Sequence, residues 1–182
     1  MDPHSAASSV SKNASAIGKA QEANSLLQAA NMQAQYHDFA GATVTYRRVL
    51  QLDPHNKVAW YDLGVVAQQQ GRAADAREAY DKALKIDPKY ASALYNQAVL
   101  LKSSETDRAV GLLKRAIAAT PKAATAHLQL GLLLAQKHRD DDAEDEFRRA
   151  VAIDPSLHSE VPEPFRDDVS PTPTSSKEGA TG

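Results

Sequence analysis

The side chains of this chain best suited to chemistry are six histidines and one run of three aspartates, and neither group has the spacing that catalysis or metal binding requires. A helical zinc site would place two histidines four residues apart, and His4, His37, His55, His127, His138 and His158 contain no such pair on one helix. His127 reads as a core residue. The run His138-Arg139-Asp140-Asp141-Asp142 has a metal-like composition but falls at a turn entering a helix. Acidic residues there are expected to cap free amides and to complement the positive end of the helix dipole. There is no glycine-rich phosphate loop, no serine in a recognisable nucleophile frame and no paired carboxylates placed for acid/base work. With no cysteines, thiol catalysis and disulfides are excluded too. The sequence therefore predicts no enzyme, no catalytic residue, no metal and no cofactor.

What organises the chain is a repeat. Asp53-Pro54, Asp87-Pro88, Thr120-Pro121 and Asp154-Pro155 place prolines 34, 33 and 34 residues apart, a period that signals stacked helical hairpins. Proline cannot continue a helix and pushes the residue before it into extended conformation, so each pair marks a boundary. The other prolines, Pro3, Pro162, Pro164, Pro171 and Pro173, lie outside the array. Within each unit, Ala30, Gly64, Ala98 and Gly131 are small enough for close helix approach to Ala42, Ala76, Ala109 and Ala143. Tyr46, Tyr80, Leu113 and Phe147 follow four residues beyond those alanines, one turn further along the same buried face.

The second copy, Lys57 to Tyr90, carries Trp60, Leu63, Gly64, Gly71, Ala76, Tyr80, Ala83 and Pro88, and on those positions it resembles the tetratricopeptide repeat family. Three further copies lie in register, so that repeats 23–56, 57–90, 91–123 and 124–157 form the expected array. The third lacks one residue around Ser103 to Asp107, which leaves its inter-helix turn the least defined. The resemblance implies an all-α fold, a right-handed superhelix or solenoid of four helix-turn-helix repeats. The low aromatic content, 5%, fits such an alanine-rich stack.

In this family the first helix of each repeat lines a concave groove. Carried over by matching positions, the resemblance nominates Leu27, Asn31, Tyr61, Val65, Tyr95, Asn96, Val99, Leu128 and Leu132 as peptide-binding residues. Among twenty groove-facing positions only Lys102 is charged. The cationic clamp by which some family members hold a carboxylate terminus is absent, since its places hold Leu27, Asn31, Asp62, Ser92 and Asn96. The implied function is a scaffold that binds a protein segment bearing apolar side chains, with Asn31, Asn96, Gln28 and Gln129 available to its backbone. A different reading makes the array a self-assembly module that forms homo-oligomers through the ends of the stack.

Net charge is −2 and the basic residues are dispersed, with Arg47, Arg48, Arg77, Lys82, Lys85, Arg148 and Arg149 on a solvated outer face, so nucleic acid is not an expected partner. No apolar run is long enough for a membrane span. The compartment is open. A soluble chain defaults to the cytoplasm, but a start such as Met1 to Ser5 also suits a leader joined to a trimmed protein that has lost an anchor or export signal. Residues 1–22 are read as an extension, either disordered or prolonging the first helix backwards through Ala16, Ile17 and Ala20. Residues 158–182 are read as partly capping, then disordered from Ser170. Leu157, Val161 and Phe165 should fold over the last helix near Val151 and Ile153, while Pro162 and Pro164 argue against a regular capping helix.

Overall fold

The computed structural model describes residues 3–169 and is all-helical there. The tail from Ser170 to Gly182, expected to be disordered, lies outside the described residues, as do the first two residues of the suspected leader. The chain forms two compact units, residues 1–100 and 101–182.

The first unit contains α1 (Pro3–Gln35), α2 (Phe39–Leu52), α3 (Lys57–Gln69), α4 (Ala73–Ile86) and nearly all of α5 (Ala91–Leu101). Helices α1 and α2 pack as one antiparallel hairpin and α3 and α4 as the next, with α2 against α3. Ala30, Ala42 and Ala76 are fully buried, which is where the sequence demanded small residues. A Cβ on Gly64 would stand 2.6 Å from the ring of Tyr80, so any larger residue would force the ring to move. In the third repeat the slot of Leu63 is taken by Gln97, 1% exposed, whose amide donates to Asp81 at 2.5 Å.

The second unit holds α6 (Thr106–Ala119), α7 (Ala124–Gln136) and α8 (Asp140–Ile153), a 3-10 segment (Pro155–Glu160) and a short α9 (Glu163–Arg166). Gly131 repeats the close approach, with its Cβ position 2.6 Å from the Phe147 ring. Beyond α8, Leu157 and Val161 are buried, and the Phe165 ring lies 5.2 Å from that of Phe147. Val151 is 2% exposed and Ile153 39%. Pro162 and Pro164 do not prevent a helix here. They serve as N-cap and first-turn residue of α9, positions whose amides have no intrahelical acceptor to lose.

The proline boundaries are visible as caps. Asp53, Asp87, Thr120 and Asp154 are the C-caps of α2, α4, α6 and α8, with φ between −138° and −130° and ψ between 84° and 97°, as a residue before proline must be. Three of the four are aspartates for a further reason. The Oδ1 atoms of Asp53, Asp87 and Asp154 accept from the amides of His55, Lys89 and Ser156, which closes the same turn each time. At α8 the structure corrects the expected capping. Arg139 is the N-cap and makes no side-chain cap hydrogen bond, so Asp140, Asp141 and Asp142 act through charge in the first turn, with Asp142 paired to Arg139 at 2.6 Å.

Candidate functional site

Helices α1, α3 and α5 present the nominated residues of the first unit. Their side chains are neither sealed nor free. Leu27, Tyr61, Val65, Tyr95, Asn96 and Val99 are half-buried and Asn31 is exposed. Tyr61 is anchored by its neighbours. Its ring meets Tyr90 edge-on at 5.3 Å and Tyr80 at 6.0 Å, and its hydroxyl accepts from the Asn96 amide at 3.0 Å, which ties α3 to α5. Such a ring offers a rigid apolar surface whose ordering is already complete before a ligand arrives.

The asparagines expected to serve a peptide backbone are partly committed. Asn31 Oδ1 accepts from the Tyr46 hydroxyl at 2.6 Å and the Asn96 amide donates to Tyr61. Each keeps the other half of its amide, a donor at Asn31 and an acceptor at Asn96. Gln68 behaves like Asn31, its Oε1 accepting from the Tyr80 hydroxyl at 2.8 Å.

In the second unit Leu132 is half-buried, but Leu128 is 2% exposed and belongs to the core. Leu27, the same residue at the same place in the first repeat, stays half-buried. His127 is a core residue, 4% exposed, with Nε2 donating to the Pro121 carbonyl at 3.0 Å and Nδ1 2.6 Å from Glu146 Oε2. His37 and His138 are turn residues, with φ of 63° and 55°, at the place where the second repeat has Gly71.

One residue escaped the sequence reading except as a missing cation. Asp62 lies on α3 beside Tyr61, half-buried, and burial holds its carboxyl up at about 6. Burial raises Tyr46, Tyr61, Tyr80 and Tyr90, the last to about 12, and the charge of Asp62 adds to each. The signal was in the repeat register, where Gln28, Asp62, Asn96 and Gln129 share one place and only one of them is charged.

A separate cavity of about 500 Å³ lies on the other side of the hairpins, over Leu50, Trp60, Leu63 and Ala67, with Arg47, Arg72, Asp75 and Glu78 at its edge. Among the described residues no helix is long and apolar enough to cross a membrane.

Comparison with known proteins agrees with this architecture. The crystal structure of MamA protein superposes with a TM-score of 0.71 over 82% of this chain and 87% of its own, at 24% identity. That of YrrB, described as a TPR protein with an unusual peptide-binding site, gives 0.66 over 74% of this chain and 70% of its own, also at 24% identity. Human Protein O-mannosyl-transferase TMTC3 is 27% identical over 123 residues, which are 65% of this chain but 13% of that protein. The family of the Cilia and flagella-associated protein 70 middle TPR-like domain matches residues 20–135, and the tetratricopeptide repeat matches residues 124–157. With most of its length inside those two matches, this chain belongs to the tetratricopeptide repeat proteins.

Proposed function

We propose that the chain is a protein-binding scaffold that holds an extended or helical segment of a partner, rich in apolar side chains, against the wall formed by α1, α3 and α5. The tetratricopeptide repeat is in general a protein-binding module, and the solved relative YrrB is described by its peptide-binding site. The observation that carries the reading is the state of Tyr61, Val65, Tyr95 and Val99, which are half-buried: held in place by the fold yet still open on one side. The chain contributes no catalysis in this reading. The transferase activity named for TMTC3 belongs to a protein of which this chain spans 13%.

Selection of random twelve-residue peptides on the full chain tests this. Binders should carry two or more large apolar residues, and their affinity should fall at least tenfold in the Val65→Lys, Val99→Lys variant while its melting temperature stays near that of wild type. Affinity should change only a few-fold between low and moderate salt, because at most one ion pair is there to be screened. Peptides that bind the variant as well as wild type would remove this wall as the site.

A further inference from the structure

The inference concerns what the bound segment carries, and it rests on the reading just given. Asp62 occupies the place that holds an amide in each of the other three repeats. An amide there can donate and accept, while an ionised carboxylate only accepts and loses hydration on burial. Other carboxylates of this unit, the exposed Asp81 and the half-buried Asp87, are given a donor by the fold. Asp81 receives the Gln97 amide at 2.5 Å and Asp87 the Lys57 ammonium at 2.6 Å. Asp62 receives none, with no hydrogen bond or ion pair among the described residues.

The groups facing Asp62 are phenols: Tyr46 from α2, Tyr61 from α3, Tyr80 from α4 and Tyr90 from the turn before α5. Lys57, which lies 5.2 Å from the centre of the Tyr90 ring, is committed to Asp87. The Tyr46 and Tyr80 hydroxyls donate to Asn31 and Gln68, away from the carboxylate. A half-buried carboxylate without a donor, beside Tyr61 on the surface proposed to receive a peptide, is complementary to an organic cation.

We propose that Asp62 is the receptor for a lysine or arginine side chain of the bound segment, the carboxylate forming the ion pair and the rings of Tyr61 and Tyr90 lining the cation's path. The partner motif is then a basic residue flanked by apolar ones, not an apolar stretch alone. Binding restores to the carboxylate the partner that the fold withholds.

The test repeats the peptide selection with Asp62→Asn beside wild type. The variant should fold, because Asn96 stands at this place in the third repeat. Wild-type binders should be enriched in one Lys or Arg, and replacing that residue by Gln should weaken them about tenfold or more, as expected for a charge-assisted bond. On Asp62→Asn the Lys and Gln forms should bind alike. Affinity of the Lys form should also fall about tenfold from pH 7 to pH 5, because the carboxyl takes up a proton near 6 while the facing tyrosines stay neutral, and the Gln form should not change. Apolar binders without basic enrichment, or equal enrichment on Asp62→Asn, would overturn the inference and leave the wall in place. Binders indifferent to Val65→Lys, Val99→Lys would overturn both.

Discussion

The second and fourth repeats reach the same packing with different chemistry. Gly64 under Tyr80 and Gly131 under Phe147 leave the same 2.6 Å between the ring and an absent Cβ. Trp60 and His127 fill one slot, and each ring nitrogen donates at 3.0 Å to the carbonyl of the proline six residues earlier. The histidine brings a second nitrogen, and Glu146 answers it at the place where the second repeat has Ala79. Tyr80 turns its hydroxyl to Gln68, whereas Phe147, with none, turns its ring to Phe165. Shape is thus held constant between repeats while hydrogen-bond partners are settled locally. Departures at polar places, Asp62 above all, are therefore where individual repeats differ in the hydrogen-bonding groups they present.

The widest breach of this comparison should come from the two rings. Tyr80→Ala and Phe147→Ala each remove a fully buried aromatic that seals a hairpin, and each should cost about 3–5 kcal/mol in denaturant unfolding. A loss below about 1 kcal/mol at either would show that the two repeats do not share one packing logic. Next in size is the histidine slot. His127→Ala leaves a cavity and strips Glu146 of one partner, for a loss of about 2–3 kcal/mol. The double change His127→Trp with Glu146→Ala transplants the second repeat's solution and should recover most of it. Failure of the double variant would mean that the slots are not interchangeable.

The smallest effect belongs to Asp62. Its carboxyl is raised from 3.8 to about 6 in the folded chain, so the folded state holds the proton more tightly than the unfolded one. The stability this gives is complete below pH 3.8 and is lost as pH rises through about 6. Asp62→Asn removes that loss. It should stabilise the chain at pH 7 by on the order of 1 kcal/mol, after allowance for solvent at a half-exposed group, and by almost nothing at pH 3. Thermal melts across that range check it.

Which parts of this were legible in the sequence follows from how local the physics is. Helix ends were readable because a proline restricts the residue before it whatever surrounds it, and Asp53, Asp87, Thr120 and Asp154 became the caps accordingly. Small and aromatic slots were readable because four copies superimpose them. The left-handed turns at His37 and His138 were not, because histidine pays a steric cost there that only the closed hairpin can impose. Leu128 was misplaced because register gives a residue's direction but not how far its neighbours extend. The isolation of Asp62 needed Tyr46, Tyr80 and Tyr90, which come from three other parts of the chain.

The most direct test of the central claim is a methyl-resolved NMR titration of the full chain with a selected peptide. The account predicts shifts concentrated at Val65, Val99 and Leu27, with Leu50 and Leu63, over the outer cavity, unmoved. Shifts confined to Leu50 and Leu63 would place the ligand on the opposite face and contradict it.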